Sequence, residues 1–155
     1  MSQLKVGQAV PDFEVASTGD KPFRLSDYKG KNVLIYFYPK DSTPGCTLEG
    51  QNFRDNIDFF NDNNTVIVGV SRDSLRRHEN FKEKQCFPFE LLSDEDEAVC
   101  KLFDVIKLKK LYGKEHLGIE RSTFLIDTDG VLKHEWRKVK VKEHLDEVKE
   151  VISQL

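Results

Sequence analysis

The chain has 155 residues, 38% of them apolar and 33% charged, with 24 basic against 27 acidic side chains and a formal charge of −3. That length supports one domain with a real core, the composition excludes a disordered chain, and the weak negative charge argues against a general nucleic-acid binder. The longest near-apolar run, Val33–Tyr38, is far too short to cross a bilayer, so no membrane association is expected.

Met1–Val10 shows no apolar stretch of the signal-peptide kind, and three cysteines (Cys46, Cys86, Cys100) do not make a disulfide framework. A reducing, cytoplasmic setting is therefore expected. No repeat, low-complexity tract or Gly/Ser/Pro linker interrupts the chain, so residues 1–155 read as a single domain.

Val10–Val15 reads as an early extended segment and Lys21–Leu25 as a second short strand, with Ser26 capping a turn that Gly30 ends. Asn32–Tyr38 is almost wholly apolar, β-branched and aromatic, which fits a strand covered on both faces. A turn-rich loop follows, then a helix from about Cys46 to Asn61. Along it Cys46, Gly50, Phe53, Ile57 and Phe60 recur in steps of four and three, one helix face. Thr65–Val70 is a second buried strand. Asp73–Gln85 reads as a helix capped by Ser71 or Asp73, Phe89–Leu92 as a strand, and a helix capped by Ser93 or Asp94 runs to about Phe103. Val105–Gly118 reads as a long basic loop. Arg121–Asp127 and Val131–Val139 pair around Thr128-Asp129-Gly130, and Lys142–Leu155 closes as a helix with Leu145, Val148 and Ile152 on one face. Alternating strands and helices followed by a hairpin predict an α/β chain with a mixed central sheet and helices on both faces. A thioredoxin-like fold with an N-terminal β extension is one such arrangement.

The loop Tyr38–Cys46 joins the C-terminal end of a buried strand to a helix start, the edge where α/β sheets build sites. Helix N-termini and nearby cations favour a thiolate, and Cys46 shares a face with core residues, so its sulfur should lie at the floor of a narrow pocket. The plain alternative is a small buried hydrophobe. Thr43 either hydrogen-bonds the sulfur and an approaching oxygen or is an ordinary N-cap. Pro39 either shields the sulfur from water or ends the strand. Glu49 either fixes an arginine or amide or is a favourable first-turn carboxylate.

Pro39-x-x-x-Thr43-x-x-Cys46 resembles the PxxxTxxC signature of peroxiredoxins, and YFYPKDSTPGCTLE resembles the Q type, the bacterioferritin comigratory proteins. The likeness extends from GQAVPDF (7–13) through VGVSRDS (68–74), LLSD (91–94) and the stretch 103–118 to GIERSTFLID (118–127). It implies a thioredoxin-like fold and a thiol-dependent peroxidase that reduces hydrogen peroxide and organic hydroperoxides without a metal or other cofactor. By the same resemblance Cys46 attacks the peroxide and becomes a sulfenic acid. Thr43 and Arg121 hold the sulfur and the peroxide, Pro39 covers the site, and the amides of Gly45 and Cys46 complete the donor set. Thioredoxin or another thiol would recycle the protein, and a monomer is implied.

The sequence departs from the family where a second, resolving thiol is expected. Five residues past Cys46 stands Gln51, and the later family position aligns with Lys82. Cys86, Cys100 or an external thiol is left to resolve the sulfenic acid. Cys100, among Val99, Leu102 and Phe103, reads more simply as an inert core thiol, and Cys86 would need backbone movement to reach Cys46.

Asp127–Gly130 echoes a calcium loop but is a better hairpin turn, and the four histidines have no metal-ligand spacing. Lys107–Lys114 with Arg137–Lys142 reads as a solvated basic face. Two competing readings are a disulfide oxidoreductase and a peroxide-sensing or chaperone-like module. The first lacks its second thiol, since Cys46-Thr47-Leu48-Glu49 is not C-x-x-C. The second has no need of Thr43 and Arg121 together.

Overall fold

The computed structural model describes residues 4–155; residues 1–3 of the segment read for a leader lie outside it. The chain opens with β1 (Glu14–Ser17) and β2 (Phe23–Arg24), a 3-10 turn at Leu25–Tyr28, and β3 (Asn32–Phe37). Then come α1 (Pro44–Asp55), α2 (Ile57–Asp62), β4 (Thr65–Ser71), α3 (Leu75–Gln85), β5 (Glu90–Ser93) and α4 (Ala98–Leu102). A hairpin β6 (Ile106–Leu111) and β7 (Lys114–Ile119) precedes β8 (Ser122–Ile126), β9 (Leu132–Arg137) and α5 (Val141–Ser153).

Seven strands form one mixed sheet in the order β2-β1-β5-β4-β3-β8-β9. β3, β4 and β5 run parallel, as strand–helix–strand connections require, while β1, β8 and β9 are added antiparallel. All six residues of β3 are buried, as its unbroken apolar run predicts. Side chains alternate along a strand, so β3 feeds two cores. Val33, Ile35 and Phe37 pack with Val99, Cys100 and Phe103 of the α4 region and with the N-terminal Val15 and Phe23. Leu34, Tyr36 and Tyr38 pack on the other face with Cys46 and Phe53 of α1, Phe60 of α2, Phe81 of α3, and Val148 and Ile152 of α5.

Several local expectations are corrected. The helix expected over Cys46–Asn61 starts at Pro44 and breaks at Asn56, although Phe53 and Phe60 keep one buried face across the break. Ser26 lies inside its 3-10 turn, and its amide is held by Asp12. Ser74 caps α3, accepting from the amide of Arg77, because Ser71 is still in β4 and donates to Asp73. The helix before Phe103 is shorter than expected: the Asp94 carboxylate takes the amides of Val99 and Cys100, and the helix opens only after a left-handed Glu97.

The largest correction is at residues 105–118, where the expected loop is a regular antiparallel hairpin. Its ladder runs from Ile106↔Ile119 to Leu111↔Lys114. The apolar/lysine alternation of Ile106-Lys107-Leu108-Lys109 is a period-two signal hidden by the charge. The turn is Tyr112-Gly113, both at positive φ, without the usual Asn or Asp to announce it.

Candidate active site

The antiparallel register of β3 and β8 pairs Phe37 with Ser122. The loop leaving β3 at Tyr38 therefore begins beside Arg121, the residue that enters β8. α1 then returns over the same strand end with Pro44 in its first turn and Thr43 at the N-cap. Proline suits that place because its missing N–H is one of those a helix start cannot use. The sheet thus brings together residues that lie 75 positions apart in the chain.

Cys46 lies in the first turn of α1 and is only 1% exposed. The sulfur sits beside a guanidinium. Arg121 Nη2 donates to Cys46 Sγ at 3.4 Å, and Nη1 donates to Glu49 Oε1 at 2.7 Å. One planar fork spans both groups, which sit three residues apart on one helix face. Glu49 is 2% exposed and its second oxygen, Oε2, has no hydrogen-bond partner among the described residues. Burial pushes this carboxyl up to about 7, outweighing the nearby guanidinium of Arg121. Arg121 is itself held above its ordinary value: burial opposes its charge, but Glu49 and Cys46 together favour it more.

Thr43 does not use its hydroxyl as a conventional cap. Oγ1 donates to the carbonyl of Lys40 at 2.8 Å, so toward the site it offers lone pairs only. The first helical bond of α1 runs from Thr47 N to Thr43 O. The amides of Gly45 and Cys46 precede it, and with no side-chain cap upon them they remain donors for an anion at the helix start. Gly45 also makes room for the cation: a Cβ there would lie 3.3 Å from Arg121 Nη2. Pro39 is half-buried in the same loop.

The three cysteines are unpaired and differ in setting. Cys100 is fully buried, and burial with the Asp94 carboxylate pushes its thiol far up. Cys86 is exposed and ends α3 in a left-handed conformation, φ 56°. α1 reaches this end of α3 through Gln51 Nε2 to Gln85 Oε1 (3.0 Å) and Arg54 Nη1 to Gln85 O (2.8 Å). Lys82, the family position for a resolving thiol, is instead paired with Glu90.

Histidine spacing gave no hint of a cluster that the fold assembles from three segments. Asp41, Asp73 and His78 each place a polar atom within 4.8 Å of the others. These atoms are engaged by one another and by Tyr38 and Ser71.

The AhpC/TSA family matches residues 6–135. The peroxiredoxin Bcp of Bacillus subtilis is 51% identical over 152 residues, covering 98% of this chain and 97% of that protein. That of Xanthomonas campestris is 50% identical over 145 residues, 94% of this chain and 91% of the relative. Among solved structures, the Xanthomonas campestris bacterioferritin comigratory protein, described for its alkyl peroxide reduction activity, superposes with a TM-score of 0.90 at 47% identity, covering 97% of this chain and 96% of the other. A cysteine-to-serine variant of Xylella fastidiosa PrxQ gives 0.93 at 40% identity, covering 99% and 98%.

Proposed function

The chain belongs to the AhpC/TSA family as a peroxiredoxin of the Q type, a thiol-dependent peroxidase on a thioredoxin-like fold, and we propose that Cys46 is its attacking sulfur and Arg121 its principal donor. The observation that carries this assignment is the 3.4 Å contact from Arg121 Nη2 to Cys46 Sγ at the first turn of α1. The sulfur anion attacks one oxygen of a hydroperoxide. The S–O bond forms as the O–O bond breaks, Cys46 becomes a sulfenic acid, and the departing oxygen leaves as hydroxide or alkoxide and takes up a proton. Arg121 and the amides of Gly45 and Cys46 stabilise the charge on that oxygen, while Thr43 Oγ1 accepts from the peroxide O–H and Pro39 shields the site. One such donor is worth roughly 2.7–4 kcal/mol, so the acceleration needs no metal, haem or flavin.

For the second half-reaction the candidate within the chain is Cys86. Gln51 and Arg54, not Cys46, stand level with the end of α3. At ~1.5 Å per residue the two thiols are offset by roughly 7–12 Å along α1. A disulfide requires Cα atoms within ~7 Å, so the first turns of α1 must unwind before Cys46 reaches Cys86. A small thiol or thioredoxin then reduces the disulfide, or attacks the sulfenic acid directly. One domain of this chain supplies every residue of the proposed site, which supports a monomer, and the three unpaired cysteines support a reducing, cytoplasmic setting. Single-turnover peroxide reduction by Arg121→Ala tests the reading. A loss of about a hundredfold or more in rate supports it, and an unchanged rate contradicts it.

A further inference from the structure

His78 takes no part in the chemistry above, yet it is completely buried. Its Nδ1 lies 2.6 Å from Asp41 Oδ2 and its Nε2 lies 2.8 Å from the carbonyl of Leu92. The carbonyl can only accept, so Nε2 carries a proton. Nδ1 and Asp41 Oδ2 share another. Asp41 is held on its other side too, with the Tyr38 hydroxyl 2.6 Å from Oδ1. Its backbone amide donates to Asp73 Oδ2 at 2.9 Å, and that carboxylate is fixed by Ser71 Oγ at 2.6 Å and by Arg77 at 3.1 Å. Asp41 is thus gripped at three points, by Tyr38 just past β3, by Asp73 between β4 and α3, and by His78 of α3.

Asp41 lies in the loop between Pro39 and Cys46. The residue before it, Lys40, supplies the carbonyl that orients the Thr43 hydroxyl. The residue after it, Ser42, takes φ 64°, a left-handed conformation unusual for a residue with a side chain. The reversal at Ser42, next to the fixed Asp41, turns Thr43 back toward Lys40. None of these hydrogen bonds is made by Arg121 or Glu49, which the sulfur uses.

We propose that His78 is a positioning residue for peroxide reduction, acting through Asp41 to hold the Lys40–Thr43 turn that orients the incoming peroxide, without setting the reactivity of the sulfur itself. The proposal rests on Cys46 being the nucleophile, and it divides two quantities that a general loss of structure would lower together. One is the rate of peroxide reduction, which needs Thr43 in place; the other is the rate of Cys46 alkylation by iodoacetamide, which does not.

The experiment compares both rates in single turnover in a Cys86→Ser background, which removes the exposed thiol so that Cys46 is the one followed. His78→Gln keeps an amide near the Leu92 carbonyl but withdraws from Asp41. His78→Asn keeps a donor at the Nδ1 position toward Asp41. His78→Gln is expected to lose at least about tenfold in peroxide rate, in line with the ~hundredfold cost of a 1 Å misplacement, with alkylation within about twofold of the parent. His78→Asn should recover most of the peroxide rate. Tyr38→Phe, which removes only one hydroxyl and leaves the ring in the core, should show the same split at smaller amplitude. Equal loss of both rates in His78→Gln, or no loss of peroxide rate in either His78→Gln or Tyr38→Phe, overturns the proposal. Undiminished peroxide reduction by Cys46→Ser would instead overturn the choice of nucleophile, and the positioning role with it.

Discussion

Glu49 and Cys46 draw on the same cation. Arg121 gives one arm of its guanidinium to the carboxylate at 2.7 Å and the other to the sulfur at 3.4 Å. Two buried groups able to carry negative charge are thereby set against a single positive one, and burial raises the carboxyl to about 7. When Glu49 is protonated, Arg121 faces only the sulfur and the peroxide oxygen. When it is ionised, the same charge is divided.

Glu49→Gln keeps an oxygen to accept from Arg121 but removes the titration. The ratio of variant to wild-type single-turnover peroxide rate should therefore rise as pH passes upward through about 7. A ratio independent of pH contradicts the sharing. Stability follows the same group. Its folded-state value is raised above the ordinary 4.5, so its favourable contribution is complete below about 4.5 and is lost as pH rises through about 7. Urea midpoints should fall over that range in wild type and fall less in Glu49→Gln.

Gly45→Ala tests how closely the guanidinium must approach. The added methyl would sit 3.3 Å from Arg121 Nη2, and Gly45 has an ordinary helical backbone, so strain from a positive φ is not at issue. The cation must shift by a few tenths of an ångström, and peroxide reduction should fall several-fold, up to about tenfold. Denaturation midpoints should hold or rise, because alanine is the better helix former. A variant with wild-type rate would show that Arg121 has slack at this contact.

Intact mass tests whether Cys86 relieves the sulfenic acid. With one equivalent of hydrogen peroxide and no added thiol, the wild type should lose two hydrogens as the disulfide closes, and Cys86→Ser should gain one oxygen. An oxygen retained on the wild type would assign the step to an external thiol. Disulfide formation should also slow when α1 is held down, because its first turns must open to bring the sulfurs together.

Much of this site is legible from the sequence, and the remainder is not for definite reasons. The Pro39–Cys46 loop is local: a buried strand, turn residues, and a proline-started helix occupy consecutive positions, so Cys46 at a helix N-terminus follows from short-range rules. The placement of Glu49 follows from a separation of three on that helix. Arg121 is different, because its approach depends on β8 lying next to β3 with Phe37 opposite Ser122. Strand order is a property of the whole sheet, and without the family resemblance Arg121 is only a strand-end arginine. The Tyr38–Asp41–His78 grip is hidden for the same reason, since β3, α3 and the loop meet only after folding. The turn of the β6–β7 hairpin is hidden by its chemistry: Tyr112 occupies a left-handed position with no residue type to advertise it. Thr43 shows a third limit. Its N-cap position is readable, but the direction of its hydroxyl, toward Lys40 rather than into the helix, is set by the fold of the loop.

The central claim is that sulfur 46 receives the peroxide oxygen. It is tested most directly by giving Cys86→Ser one equivalent of hydrogen peroxide, trapping the product with a sulfenic-acid reagent and mapping the peptides. The label should fall on the Cys46 peptide alone, and Cys46→Ser should leave the peroxide unconsumed. Label on Cys100, or brisk peroxide consumption by a protein lacking the thiol at 46, would contradict the account.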